Sequence, residues 1–195
     1  AIMYANIMIP SNAITEFNEK NTPNVYKSTM DAVTRGASDG ASIAISVGTI
    51  LIAVVALVFI LNAFLGFIGD QAGFDLSIQI ILGYIFAPIA WLMGIPWDEA
   101  ILTGELLGLK TALNEFYAYP KLVSEQYAAL SDRSKLITFY SLCGFANLSS
   151  VGILVSGIAA MAPDRKEDLI KVSLKALVGA TLASCMTGLI VGIFI

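Results

Sequence analysis

The sequence predicts an all-α polytopic membrane protein that contains a re-entrant hairpin and discontinuous transmembrane helices. Three observations predict it. Of 195 residues, 57% are hydrophobic and only 13% are charged, with a mean hydropathy of +0.79, which lies outside the range of soluble domains. Uncharged stretches of 20 or so residues recur, each long enough to cross a hydrocarbon layer of about 30 Å. Helix-breaking clusters of Pro, Gly, Asn and Ser fall inside those stretches, and broken backbone is tolerated at membrane depth only where protein or an aqueous cavity surrounds it.

The charge balance narrows the function. Eleven Lys and Arg against fifteen Asp and Glu give a net charge of -4, with no basic patch to neutralise a phosphate backbone, so nucleic acid is excluded as the primary partner. There is no histidine, which removes the commonest general base and metal ligand. Cys143 and Cys185 lie in uncharged runs and read as small apolar side chains. No metal-ligand cluster or nucleophile elbow supports an enzyme, and no organic cofactor is implied.

In chain order, residues 1–10 are apolar and read as the end of a preceding helix. The chain opens at Ala1 with neither an initiator Met nor a basic leader, so we expect a fragment lacking its N-terminal part. Residues 11–35 are polar, hold Lys20, Lys27 and Arg35, and read as a cytoplasmic loop. Residues 36–69 form one long transmembrane helix. Residues 76–119 read as a re-entrant hairpin opening to the outer face, because Pro88 interrupts the first arm, Gly94-Ile95-Pro96-Trp97 supplies a turn, and Asp98-Glu99 provides an acidic helix start. Residues 135–162 form a broken transmembrane helix, and residues 170–195 the last one. Arg165, Lys166, Lys171 and Lys175 place the intervening loop in the cytoplasm. Small residues four apart, at Gly36, Gly40, Ala44 and Gly48 and at Ala176, Ala180, Ser184, Gly188 and Gly192, read as helix-packing faces.

Two segments carry polar groups in apolar surroundings. In Gly104 to Phe116, the helical period sets Gly108, Thr111 and Glu115 on one face, with Lys110 and Asn114 on the next. Either this is a ligand site, or Lys110 and a carboxylate form a satisfied internal network. In Ser141 to Gly152, the residues Gly144, Asn147, Ser149, Ser150 and Gly152 mark a helix break whose freed amides and carbonyls suit a hydroxyl-rich solute.

The strings Gly108-x-Lys110, Asn114-Glu115-Phe116-x-Ala118-Tyr119, Leu130-Ser131-x-Arg133, Cys143-Gly144-Phe145-Ala146-Asn147-x-Ser149-Ser150 and Ala162-Pro163-x-Arg165 occur in that order. With Gly36-Ala37-Ser38-Asp39-Gly40 and Leu82-Gly83-Tyr84-x-Phe86-Ala87-Pro88, they resemble the C-terminal half of concentrative nucleoside transporters. The resemblance implies a multi-pass protein of the cell membrane, a homotrimer in the lipid bilayer, and symport of nucleosides coupled to sodium or to protons. It assigns ribose binding to Glu115, Asn147 and Ser150, with Phe145 lining the pocket and Asn114, Lys110 and Ser149 in support. Metal ligands and base-reading residues belong to a first hairpin expected before Ala1. An ionised carboxylate accepting ribose hydroxyl protons makes bonds worth roughly 1.5 to 3 kcal/mol each. The rival reading is a solute channel or facilitator for small polar molecules, since polar hairpins also line pores.

Overall fold

The computed structural model describes residues 1–10 and 27–195, and among the described residues there is no strand. Helix α1 (Ile2–Met8) rests on the last helix of the chain, with Met8 Sδ against Gly179. The expected loop lies partly outside the described residues, at 11–26. The remainder of it is helical: α2 (Thr29–Ala72, 44 residues) begins earlier than position 36. Its start is fixed by Ser28, whose hydroxyl accepts the Asp31 N–H at 3.2 Å, and by Arg35, whose Nε donates to Asp31 at 2.7 Å. A side-chain acceptor at the N-cap satisfies an amide that would otherwise be orphaned. The helix ends where Gly73 turns left-handed at φ 78°. Only Val58 and Gly69 of α2 are buried, and the stripe Gly36, Gly40 and Gly48 meets no described atom within 4 Å.

Helices α3 (Ile78–Leu92) and α4 (Trp97–Ala112) run antiparallel around a turn at Met93–Pro96. They approach closely because Gly104 of α4 lies on the Gly83 carbonyl and the Ala87 amide, while Gly108 lies on Leu82. Pro88 sits inside α3 without breaking it. The chain then reverses a second time. Leu113 leaves helical geometry (φ -105°, ψ -93°) and α5 (Glu115–Leu122) starts after Asn114, so the face expected to join Gly108, Thr111 and Glu115 does not exist. Thr111 bonds back to the Leu107 carbonyl instead.

Beyond α5 the chain returns along α4. The Tyr127 hydroxyl donates to Glu105 at 3.1 Å, and the amide and hydroxyl of Ser131 both donate to Glu99, at 3.2 and 2.9 Å. Glu99 lies roughly 20 Å along the helix axis from the reversal at Leu113. The hairpin that enters and leaves at one end therefore spans Trp97 to Ser131, with its tip at Leu113-Asn114, whereas residues 94–97 form the turn at its base. This corrects the limits 76–119.

Helix α6 (Asp132–Leu142) lies beside α4, with Thr103 and Thr138 hydroxyls 3.2 Å apart. After a gap at Cys143–Ala146 the chain continues as α7 (Leu148–Met161), then as a short 3-10 turn (Pro163–Arg165) and α8 (Lys166–Ile193). Gly188 and Gly192 of α8 receive Ser141 and Ile137 of α6, and Ser184 presses on Gly144. The α8 small-residue stripe is thus a packing face from Ser184 onward. At one end of the molecule Arg133 ties α6 to two other segments, donating to the carbonyl of Gly94 (2.6 Å) in the turn and to those of Gly192 (2.6 Å) and Ile195 (3.4 Å) at the end of α8. Helices α2 and α8 are long and apolar enough to cross a membrane.

Candidate functional site

The site forms where the tip of the α4–α5 hairpin meets the gap between α6 and α7. Asn147 organises the gap. It is fully buried and caps α7: its Oδ1 accepts the Ser150 N–H at 2.6 Å, while the Ser150 hydroxyl accepts the Asn147 N–H at 3.1 Å and donates to the Asn147 carbonyl at 2.6 Å. This is a capping box built with Ser in place of the usual acid. The amide Nδ2 of Asn147 stays free for a partner and donates to Glu115 Oε2 at 3.0 Å.

Glu115 arrives from the other element by an equally local device. Asn114 caps α5 by accepting the Tyr117 N–H at 2.9 Å, which makes Glu115 the first helical residue. A carboxylate there is favoured by the positive end of the helix. A second stitch joins the two elements: the Ser149 hydroxyl donates to the Leu113 carbonyl at 3.4 Å. Residues 32 apart in sequence, Glu115 and Asn147, are thereby brought into contact.

The other predicted residues lie around this pair in distinct roles. Phe145 is 52% exposed and, with Ser150, lines a cavity of about 190 Å³ between α7 and α8. The Ser150 hydroxyl is largely committed to the cap and keeps one acceptor position. Lys110 is 1% exposed, and its Nζ has no hydrogen-bond partner among the described residues. Among the described residues Lys110 therefore makes no ion pair with a carboxylate; the ion pairs there are Arg35–Asp31 and Arg165–Asp168. Among the described residues no group of His, Cys, Asp or Glu could hold a metal ion.

Tyr119 and Cys143 were not singled out from the sequence for any role at the site. The Tyr119 hydroxyl lies 3.0 Å from Cys143 Sγ and 3.2 Å from the Phe139 carbonyl, closing the gap from the side of α5. Both residues stand in the motif strings quoted above, and that was the available signal.

Residues 1–192 match the family model described as Na+ dependent nucleoside transporter C-terminus. The chain belongs to that family. Among its relatives, the uncharacterized transporter YutK of Bacillus subtilis is 41% identical over 167 residues, covering 85% of this chain and 41% of that protein. Nucleoside permease NupC of Helicobacter pylori is 36% identical over 199 residues, covering 100% of this chain and 48% of that protein. A solved structure of a CNTnw variant in an intermediate state superposes with a TM-score of 0.87 at 40% identity, covering 100% of this chain and 48% of that one. The chain thus spans less than half the length of these relatives. The fold is that of a concentrative nucleoside transporter, and the chain is an integral membrane one.

Proposed function

We propose that the complete protein is a cation-driven nucleoside symporter of the cell membrane, and that this chain supplies its ribose-binding half. Sodium, the ion in the family's description, is the assigned coupling cation. The observation that carries the proposal is the 3.0 Å contact between Asn147 Nδ2 and Glu115 Oε2 where a hairpin tip meets a helix break. That pairing leaves the second carboxylate oxygen of Glu115 as a charged acceptor for a hydroxyl, and fixes both side chains before a solute arrives, which lowers the ordering cost of binding. Ser150 acts mainly by holding Asn147. The process involves no covalent chemistry.

The same reading places the turn at 94–97 at the outer face and the Arg165 to Lys175 segment in the cytoplasm. Helix α2, long, apolar and exposed along most of its length, is assigned to lipid and to the contacts of a homotrimer.

Uptake by the full-length protein tests the function. Labelled uridine or adenosine accumulating above its external concentration under an inward sodium gradient supports symport, and equilibration without accumulation supports the channel reading. At the site, Glu115→Gln keeps the size but removes the charge, so nucleoside affinity should fall by roughly 1.5 to 3 kcal/mol. A 2',3'-dideoxynucleoside lacks the hydroxyls concerned and should lose far less on the same substitution. Equal losses for both ligands in a folded variant would mean that Glu115 only supports the site.

A further inference from the structure

A groove of about 500 Å³ runs between α1 and α8. The two helices are antiparallel, because Met8 lies on Gly179 whereas Ala1 shares a cavity with Ala183 and Thr187, further along α8. Its floor is formed by the small residues Ala176, Gly179 and Ala180, and its facing wall by Ile2, Ala5 and Ile9. Lys175 and Asn6 are the polar side chains on its lining. Lys175 also stands at a boundary. From Ala176 to Ile195 the chain carries no charge, whereas Arg165 to Lys175 holds four basic residues against two acids. Lys171 lies one turn before Lys175 on the same face. Both are exposed, and among the described residues neither is in an ion pair. Side chains of a helix lean toward its N-terminus, so both ammonium groups reach away from the uncharged run toward the level of the headgroups. The groove thus has apolar walls at hydrocarbon depth and unpaired cations at its edge. A protein segment seated there would have to bring its own acid to this depth, while an anionic bilayer supplies phosphate at that level.

We propose that the α1–α8 groove binds an anionic phospholipid, with an acyl chain lying on Ala176, Gly179 and Ala180 and the headgroup phosphate paired with Lys175 and Lys171. The Asn6 amide offers a further donor from the α1 side. The lipid fills the space between the two helices and joins them. It also borders the candidate site: Val172, Ala176 and Ala180 line both this groove and the cavity of about 190 Å³ that Phe145 and Ser150 share. The lipid and the cavity beside Phe145 therefore have one wall of α8 in common. The lipid belongs to the inner leaflet under the proposed orientation, and only that leaflet assignment rests on it.

Native mass spectrometry of the full-length protein in a mild detergent, titrated with phosphatidylglycerol or phosphatidylcholine, tests the proposal without any nucleoside. The native protein should retain phosphatidylglycerol about tenfold more tightly than phosphatidylcholine. Lys171→Gln combined with Lys175→Gln, both at exposed positions, should bring phosphatidylglycerol to the phosphatidylcholine level, whereas Lys121→Gln on α5 should change nothing. Ala5→Phe fills the groove from α1 and leaves the lysines in place, so retention of both lipids should weaken together. Equal retention of the two lipids by the native protein, or an unchanged preference in the double lysine variant, overturns the proposal. So does unchanged retention by a folded Ala5→Phe protein, which would mean that the rest of the polypeptide or a second copy covers the groove. Excess inorganic phosphate should displace no lipid; displacement would reduce the site to a surface anion contact and overturn the proposal as well. Because uptake is not measured, every result leaves the symport and ribose readings to their own tests.

Discussion

Asn147 serves two structures at once, because one side-chain amide offers an acceptor and two donors. Its oxygen caps α7 and its nitrogen holds Glu115. The capping half of this was legible in the sequence: Gly144, Asn147, Ser149 and Ser150 are poor helix formers and good cappers. The partner was legible only through the family resemblance, which sets Glu115 and Asn147 at one site, since nothing in local spacing brings residue 115 to residue 147. Close packing at single glycines makes a sharper residue-scale prediction. Gly104 lies on the backbone of Gly83 and Ala87, so a methyl group there meets atoms that no rotamer change can move. Gly104→Ala should destabilise the α3–α4 pair by roughly 1 to 3 kcal/mol, the usual cost of overpacking, read as a lower Tm. Gly36→Ala, with no described neighbour within 4 Å, should leave Tm unchanged or raise it. Equal effects at the two positions would contradict the packing described.

The elements were legible where apolar length decided them and misread where local capping decided them. Residues 29–35 carry Asp31 and Arg35, and charges read as the end of a lipid-spanning segment, yet Ser28 and Asp31 form a helix start that projects beyond it. The second error was the hairpin tip. Gly94-Ile95-Pro96-Trp97 is a stronger turn signal than Ala112-Leu113-Asn114, because Ala and Leu continue a helix readily. The Asn114 cap and the Asn147–Glu115 contact nevertheless fix the deeper reversal. The start of α2 is also sensitive to pH. The Lys27 N–H and the Arg35 guanidinium hold the Asp31 carboxyl below its ordinary range. A carboxyl depressed in the folded state contributes stability that is complete above its unfolded value, about 3.9, and is lost as pH falls through the lower folded value. Amide-exchange protection at Ala32 to Arg35 should therefore hold constant from pH 7 to about 4.5 and decline only below roughly 4. Asp31→Asn should lower it throughout. A decline already present between pH 7 and 5 would assign the effect to another group.

At the scale of the whole molecule, the two ends differ in chemistry, and that difference is the basis of the proposed orientation. One end holds the 94–97 turn, the Glu99–Ser131 tie and the Arg133 clamp on the last carbonyls of α8. Trp91 and Trp97 stand there, both more than half exposed, with ring centroids 6.4 Å apart, as suits a headgroup layer. The other end joins the beginning of α2, near Asp39 and Ser42, to the end of α7 at Ser156 and Gly157, and carries Lys27, Arg35, Arg165, Lys166 and Lys171. On the positive-inside rule we propose that this second end lies in the cytoplasm. Single cysteines at Pro96 and Lys166, in a full-length protein carrying Cys143→Ser and Cys185→Ser, make the assignment testable in intact cells. Pro96→Cys should react with an impermeant maleimide applied outside, and Lys166→Cys only after permeabilisation. The reverse pattern would invert the molecule. Labelling of both from one side would mean that the two ends share a membrane face, and the hairpin tip at Leu113-Asn114 would then no longer lie between the two aqueous phases, where an alternating-access site has to be.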